Sequence, residues 1–598
     1  MIRLRNIRLR PGNREHGFAM IMVIAIGAVL MILATVASTY AISGLNKANY
    51  DQDYSGALAA AYAGIEEYQS RLANDTTYAQ YGNTAANFSS GSTLTLPSGS
   101  QANDAFGVGA SALWATVAGS GGLAKYRYEV NNSAYSSTGI IKIRSTGLVG
   151  NLTRSIVANL KQQGFIDFLY FTDYEIQDPD ISSDPSSCAM YAWAGRNSSC
   201  QTIQFSVNDV IKGPVHSNDT LQICGSTFNN GVVSTSNNTP DGAGNLYRIP
   251  SSSCGTANFG PGDIYKPVYG PVVGMPSTNS QLMKETRSDL LALGVPNPGC
   301  LYTGPTSITY NLSGTMTVRS PWTIFTNISG SPASSGTVSS RCGTPGAGTN
   351  TLGSSTGQTL AVPTQAVIFV QNVPLVSSDP NYWGPRIPSG YSCTGAAGGR
   401  TIGNGLGFPT TNEVAPSGTS TPYGCQNGDV FIRGTLSGNT AAGSQETVAA
   451  DNYIYVTGDL RYNDPSADLL GLVGNNAVWV WNPLKSGNAN ILTDTNREVD
   501  AAVLSLNHTF QVQNYAGGSV RGTLSVNGAI AQRFRGPVGT GTSSGIVTGY
   551  AKNYLYDARL KYTAPPKFLS PVTTTYGVTT WIDVAPAFAA NGSKNAGT

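Results

Sequence analysis

The chain has 598 residues, of which 40% are apolar and only 11% are charged, with 70 Gly and 32 Pro. This apolar content excludes a disordered polyelectrolyte, and the balance of 35 basic against 33 acidic residues gives no indication of a nucleic-acid partner. Low charge, frequent Gly and 30 Tyr are typical of an exported, turn-dense protein that is mainly β.

The amino terminus predicts a membrane anchor. After a basic leader, an uncharged stretch begins at Phe18 and continues until Lys47. Its apolar part, residues 18–37, matches the roughly 20 residues that a helix needs to cross a bilayer, and the basic side is expected in the cytoplasm. Residues 18–40 are therefore expected to contact membrane lipid. The alternative is a secretory signal peptide that is cleaved after Ala37. The basic leader contains Arg3, Arg5, Arg8, Arg10 and Arg14.

The junction between the leader and the apolar stretch carries a family resemblance. The leader ends in Glu15-His16-Gly17 and is followed at once by Phe18. This pattern resembles the class III leader of type IV pilins and their type II secretion relatives. The resemblance implies that a prepilin peptidase removes residues 1–17 by cutting between Gly17 and Phe18, and that Phe18 is then methylated at its amino group. It also implies that the apolar helix packs against other pilin subunits after the inner-membrane pilus assembly machinery has extracted it.

One residue departs from this family pattern. Major pilins have Glu at the fifth mature position, where it pairs with the free amino terminus of a neighbouring subunit, and Met22 stands there in this chain. An uncompensated buried amine disfavours packing below another subunit. By analogy with minor pilins that lack the Glu, Met22 favours a rare, initiating or tip subunit.

The anchor is expected to continue as an amphipathic helix, so that residues 18–73 form one pilin-like helix. Glu67 and Arg71 lie one turn apart in the favourable order. The string 59–67 resembles the equivalent segment of PilX-type minor pilins, whereas the alternative is an ordinary surface helix. The apolar residues recur at steps of three and four, as one helical face requires, at Tyr50, Tyr54, Ala57, Ala61, Ile65, Tyr68 and Leu72.

Residues 74–163 are predicted to contain a loop-rich segment and then a small β meander. Residues 74–122 are rich in Ser, Thr, Asn, Gly and Ala. Segments 126–130, 139–147 and 153–160 partly alternate apolar and polar residues between turn signals, which predicts consecutive antiparallel strands. A long helix followed by such a meander is similar to the pilin plan.

Residues 164–570 are predicted to form a large, β-rich ectodomain, and residues 571–598 a C-terminal tail. Short apolar strands such as 366–370, 453–456 and 477–481 lie between Gly, Pro and Asn turns. This texture fits a solenoid of short parallel strands, with an array of β-sandwiches as the alternative. Sequence segments such as 213–218 and 525–532 resemble parts of the ectodomains of large PilX-like surface proteins. This resemblance implies an irregular right-handed β-helix.

The cysteines predict disulfides. All eight lie beyond the membrane segment, and an even number confined to an exported region is typical of disulfide bonding. Pairing of neighbours would close loops of about 12, 30, 42 and 32 residues, although eight cysteines allow 105 pairings. Without a Cys-x-x-Cys pair, a zinc site is not expected. The cysteines are Cys188, Cys200, Cys224, Cys254, Cys300, Cys342, Cys393 and Cys425.

No catalytic residue, metal ligand or cofactor is expected. His216, in an expected turn, and His508, in a strand-like segment, lack a nucleophile motif nearby and are interpreted as structural histidines. The aromatic residues Tyr453, Trp479 and Trp481 could stack on sugars, but their alternating spacing favours a core role.

Two groups of carboxylates have the chemistry of calcium ligands or of a glycosidase pair. The interpretation favoured for both is solvated turn aspartates. The two groups are Asp178, Asp180 and Asp184, and Asp464 with Asp468.

The sequence thus predicts a single-pass inner-membrane protein that displays a large extracytoplasmic β ectodomain on a type IV pilus or related filament. We expect it to act as a structural minor pilin, in assembly, initiation or adhesion to a surface ligand, and not as an enzyme. Two alternatives remain open. One is a surface-anchored protein that binds or cleaves carbohydrate through acidic residues in a groove, and the other is a simple anchored envelope protein with an uncut leader.

Overall fold

The computed structural model describes residues 16–99, 102–107, 114–135, 140–162, 164–207, 209–286, 299–329, 334–393, 403–414, 423–438, 443–542, 545–561, 563–570 and 576–597. Within them the fold is mainly β, with one long helix, α1 (His16–Asn74), and one short helix, α2 (Ser280–Met283).

The strands are numbered in chain order through the described residues. They are β1 (Ala115–Thr116), β2 (Ala124–Asn131), β3 (Ile140–Val149), β4 (Leu152–Gln162), β5 (Tyr170–Tyr174), β6 (Val210–Lys212), β7 (Val215–Ser217), β8 (Thr227–Asn229), β9 (Val233–Thr235), β10 (Val268–Tyr269), β11 (Cys300–Thr303), β12 (Thr306–Asn311), β13 (Thr315–Arg319), β14 (Asn327–Ser329), β15 (Ser335–Thr337), β16 (Gln358–Ala361), β17 (Ala366–Gln371), β18 (Val430–Leu436), β19 (Gln445–Ala450), β20 (Tyr453–Tyr462), β21 (Leu469–Gly474), β22 (Ala477–Val480), β23 (Leu484–Lys485), β24 (Ala489–Asn490), β25 (Arg497–Ser505), β26 (Phe510–Val512), β27 (Val520–Phe534), β28 (Gly539–Thr542), β29 (Gly545–Tyr556) and β30 (Tyr576–Val584).

The chain divides into two compact units. Residues 1–162 together with 575–598 form the helix–sheet unit, and residues 163–574 form the ladder unit. In the sequence, the ladder unit is therefore an insertion between the last two strands of the helix–sheet unit.

The helix–sheet unit packs the C-terminal part of α1 against a five-stranded antiparallel sheet in the order β1-β2-β3-β4-β30. The predicted helical face is buried only from Ala57 onward, whereas Tyr50 and Tyr54 are exposed. The buried stripe lies at steps of three and four because one side of the helix covers the sheet. It consists of Ala57, Ala61, Ile65, Tyr68 and Leu72.

The carboxyl-terminal segment is more than the tail that the sequence suggested for residues 571–598. Tyr576–Val584 forms β30 and pairs antiparallel with β4, from Tyr576 opposite Gln162 to Val584 opposite Ser155. The prediction missed this strand because its partner lies more than 400 residues earlier in the chain and no local turn signal connects the two.

The ladder unit is built mainly from parallel pairs, to which five antiparallel pairs are added: β12–β13, β13–β16, β14–β15, β23–β24 and β28–β29. One ladder runs in the order β11-β17-β19-β21-β25-β27-β5-β7-β9-β10, and every neighbouring pair in it is parallel. A second runs β12-β18-β20-β22-β26, and a third runs β20-β25-β27-β29-β6-β8, again in parallel. Parallel pairing accounts for the short apolar strands without alternation, because both faces of such strands are covered.

Register in these ladders places like residues in rows. Ile308, Ile432, Val456, Val480 and Val512 are successive register partners in the second ladder, and all five are fully buried in the main core. Aligned β-branched side chains pack well on a pleated surface. The rows therefore fix the register of strands that are separated by long connections.

The order of the first ladder differs from the order of the chain. β5, the first strand of the ladder unit, pairs with β27, which comes near its end, at Tyr170 opposite Ile530 and Phe171 opposite Ala531. The chain moves away from this point through β7, β9 and β10, and re-enters at the opposite end of the ladder with β11. The first strand of the unit therefore lies in the interior of the ladder, between β27 and β7.

The interior of the ladder unit also contains buried ion pairs. The Arg535 guanidinium is fully buried, is paired with the buried Glu175 carboxylate, and lies over the Phe205 ring at 3.6 Å from the centroid. Lys552 Nζ lies 2.7 Å from Asp209 Oδ2. Each charge has a partner of opposite sign, which is the usual condition for burying it.

Candidate functional site

The amino-terminal half of α1 exposes a continuous apolar surface. Met20, Ile24, Met31 and Leu33 are each more than half exposed. Among the described residues, α1 is the one helix that is long and apolar enough to cross a membrane. An apolar surface of this length in water is unfavourable, so it requires lipid or the apolar surface of a partner.

The predicted processing site lies at the start of this helix. The backbone is helical from His16, so Gly17 and Phe18 belong to the first turn, while leader residues 1–15 lie outside the described residues. Met22 is 56% exposed one turn further along. From Ala19 to Tyr50 the helix contains no acidic side chain, so within this stretch no carboxylate of the helix lies near Met22.

The other end of α1 is fixed to the sheet by a polar network. Glu67 pairs with Arg71 and accepts a hydrogen bond of 2.8 Å from the Tyr128 hydroxyl on β2. Asn103 Nδ2 donates to the same hydroxyl at 2.7 Å. Burial raises the pKa of Tyr128 well above its ordinary value, so this phenol remains neutral and acts as a donor. The network stabilises the position of the helix on the sheet.

All eight cysteines form disulfides between neighbours in the sequence. The bridges are Cys188–Cys200, Cys224–Cys254, Cys300–Cys342 and Cys393–Cys425, and they all lie in the ladder unit. This is the neighbour pairing considered in the sequence analysis. Cys300 is the first residue of β11, whereas the other seven cysteines lie outside the strands. Each bridge limits the freedom of the unfolded chain.

A polar cleft brings together residues that are far apart in the sequence. Asp178 follows β5, and His508 lies between β25 and β26, yet His508 Nδ1 is 2.7 Å from Asp178 Oδ2. Asp180 Oδ2 approaches the same nitrogen at 3.9 Å. Asn476, Asn507 and Arg533 also line the cleft, which is suited to binding a small charged or polar group.

The remaining aspartates of the two predicted groups satisfy backbone groups instead. Asp184 Oδ2 accepts from the amide of Gln201 at 2.7 Å. Asp468 is buried rather than solvated, and its two oxygens accept from the amides of Ser444 and Asp464 at 2.8 and 2.9 Å. These two carboxylates accept hydrogen bonds from backbone amides and do not converge with other ligands.

His216 is a core residue on strand β7 and not a turn residue. Its ring nitrogens lie 2.9 Å from Ser234 Oγ and 3.1 Å from Asn218 Oδ1, and the ring stacks on Phe168 and Phe171. Burial lowers its pKa to about 4. A neutral imidazole with both nitrogens bonded is not available as a catalytic base.

The aromatic residues considered for sugar stacking are buried. Tyr453, Trp479 and Trp481 cluster with Tyr423 and other rings, and the Trp481 indole donates to the Tyr423 hydroxyl at 3.1 Å. They pack against Leu406 and Phe408 of a segment that covers the strands. These rings therefore cover the face of the second ladder that points away from the aliphatic row of Ile432, Val456 and Val480.

Comparison with known proteins does not assign a family. No protein-family model matches the chain, and no curated protein matches it. Among solved structures, the chain is similar to the competence-associated pilin ComZ from Thermus thermophilus, over 89% of this chain and 97% of that chain. The identity is 10% and the TM-score is 0.26, values at which the similarity carries no functional weight.

Proposed function

We propose that the chain is a membrane-anchored, pilin-like structural subunit of a type IV pilus or related filament. The observation that carries the proposal is the order of features at the amino terminus. A basic leader ending in Gly17 is followed by Phe18 and by one apolar helix, whose C-terminal part packs on an antiparallel sheet. In this account a prepilin peptidase cuts after Gly17, the apolar part of α1 is held in the inner membrane, and the assembly machinery transfers it into the filament.

Met22 supports a minor rather than a major role. Without a carboxylate near the new amino terminus, the charge of that group stays uncompensated when another subunit packs above it. A subunit at the tip or at the start of assembly avoids this cost, because no subunit lies beyond it. An inserted unit of roughly 400 residues is also difficult to repeat along a tight fibre.

We propose further that the ladder unit is a β-helix-like solenoid that is displayed outside the cell and serves in assembly, initiation or adhesion rather than catalysis. The parallel pairing and the aligned rows of aliphatic residues support this, since β-sandwiches are built from antiparallel sheets. The burial of Tyr453, Trp479 and Trp481 weakens the carbohydrate alternative, because these rings have no free face for a sugar.

Processing of the leader tests the proposal. The chain is produced with and without a prepilin peptidase, and the Gly17→Ala variant is compared with Gly27→Ala. Gly27 lies in the same helix and a methyl group there meets nothing within 4 Å. We expect a shortened product for the wild type and for Gly27→Ala only when the peptidase is present, and none for Gly17→Ala. A product of unchanged mass in every case would contradict the proposal.

A further inference from the structure

Three metal-ligating side chains converge in the cleft of the ladder unit. The nearest donor atoms of Asp178, Asp180 and His508 all lie within 4.8 Å of one another. The Asp178 side chain is fully buried and that of His508 is 16% exposed, whereas Asp180 is 74% exposed. The group therefore has a rigid buried side and an open side that faces solvent.

The donor set indicates which kind of ion fits. It combines one imidazole nitrogen with two carboxylates, so it differs from a patch of solvated acids. Calcium and magnesium favour oxygen ligands alone, whereas imidazole suits zinc and other divalent transition metals. Two carboxylates and a neutral imidazole bring a charge of −2 to the ion, and Arg533 at the edge of the cleft reduces the net negative charge around it.

The backbone holds two of the ligands in place before any ion binds. The His508 amide donates to the Asn476 carbonyl at 2.9 Å, and the His508 carbonyl accepts from the Arg533 amide at 3.2 Å. Asp178 Oδ1 accepts from the Asp180 amide at 3.0 Å, which leaves Oδ2 directed at the imidazole. Preorganised ligands lose little conformational entropy on binding.

A simple hydrogen bond between His508 and Asp178 accounts for only part of this arrangement. The bond explains the 2.7 Å contact, but it does not require a second carboxylate at 3.9 Å from the same nitrogen. Asn476 and Asn507 also line the cleft. An ion with three protein ligands and open positions for water fits these observations together.

We propose that Asp178, Asp180 and His508 bind one divalent transition-metal ion of the zinc type. The ion joins the segment after β5 to the β25–β26 connection. Its ligands Asp178 and His508 are 330 residues apart in the chain. It thus links the start of the ladder unit to its carboxyl-terminal strands, next to the β5–β27 pair. Because it binds the folded state, it should raise the stability of this unit. This inference is independent of the proposed pilin function.

Titration of the full chain in detergent tests the site. Isothermal calorimetry with ZnCl2 should show one ion per chain, with CaCl2 binding at least ten times more weakly. The key variant is Asp180→Asn, because its exposed side chain can change without disturbing the core. We expect it to weaken zinc binding at least tenfold and to remove most of the zinc-dependent rise in Tm. His508→Gln should abolish both effects.

The matched control is Asp464→Asn, which changes an exposed aspartate in a turn of the same unit and should leave zinc binding intact. Absence of zinc binding by the wild type would overturn the proposal and leave a hydrogen-bonded His–Asp pair. Equal affinity of Asp180→Asn and the control would place any bound zinc elsewhere. Tighter binding of calcium than of zinc would overturn the assignment of ion type.

Discussion

The contact between α1 and β3 at Gly147 offers a sharp test of the helix–sheet packing. A Cβ atom built on Gly147 would lie 2.0 Å from the Ala57 carbonyl oxygen and 2.4 Å from the Ala61 amide nitrogen. Both are backbone atoms of the helix, so neither can rotate away as a side chain could. Gly147→Ala therefore requires the helix to move away from the sheet by about 1.5 Å, given ordinary van der Waals contacts of about 3.5 Å.

The size of the effect follows from the cost of overpacking. Inserting a methyl group into a well-packed contact typically costs 1–3 kcal/mol, and the upper end applies because the obstructing atoms belong to the helix backbone. We expect a loss of about 3 kcal/mol in the free energy of unfolding of the helix–sheet unit. For a unit of this size that corresponds to a fall in Tm of roughly 6–12 °C.

Hydrogen–deuterium exchange of the full chain in detergent measures this change locally. Peptides that cover residues 57–72 and β3 should exchange faster in Gly147→Ala, together with the fall in Tm. The matched control is Gly577→Ala in the same sheet, where the nearest atom to a new Cβ is the Lys161 carbonyl oxygen at 3.9 Å. If the two variants have the same stability and the same exchange, the packing of α1 on β3 is wrong.

Three further predictions concern the ladder unit. Burial raises the pKa of Glu446 to about 8, so the folded state loses stability as pH rises from about 4.5 to 8. Glu446→Gln should remove about 3 kcal/mol of this loss at pH 7. The free energy of unfolding of variant and wild type is measured by denaturation between pH 4.5 and 8, and the same pH dependence in both would refute the prediction. Burial lowers the pKa of His216 to about 4, so the folded state loses stability as pH falls from 6.5 toward 4. The imidazole NMR signals of His216 should show a neutral ring at pH 5.5, and titration of these signals near pH 6.5 would contradict this. Cys300→Ala with Cys342→Ala opens a loop of 42 residues and should lower the free energy of unfolding by about 2–4 kcal/mol in chemical denaturation, whereas unchanged stability would show that the bridge is dispensable.

Local patterns in the sequence were sufficient for the elements whose partners are near in the chain. The spacing of Ala57, Ala61 and Ile65 predicts the buried face of α1, and the alternation in residues 126–160 predicts three strands that pair in chain order. The same spacing places Tyr50 and Tyr54 on this helical face, but both side chains are exposed. Periodicity describes a helical face, but it does not show how far along the helix a sheet covers that face.

Local sequence patterns do not predict which strands pair when they are far apart in the chain. The pairing of β5 with β27 and of β30 with β4 depends on register between segments hundreds of residues apart, and strands buried on both faces lack the alternation that would indicate their partner. The contact of His508 with Asp178 was missed for the same reason. Closeness in the sequence groups Asp178 and Asp180 with Asp184, whereas the fold places His508, 330 residues away from Asp178, beside them instead.

The chemical nature of the mature amino terminus tests the central claim most directly. Intact mass and amino-terminal peptide analysis are performed on the protein recovered from its native membrane and from sheared surface filaments. The account predicts N-methyl-Phe18 as the first residue, with the protein present in filaments at low abundance. Retention of Met1, or a mature end created by cleavage after Ala37, would contradict it.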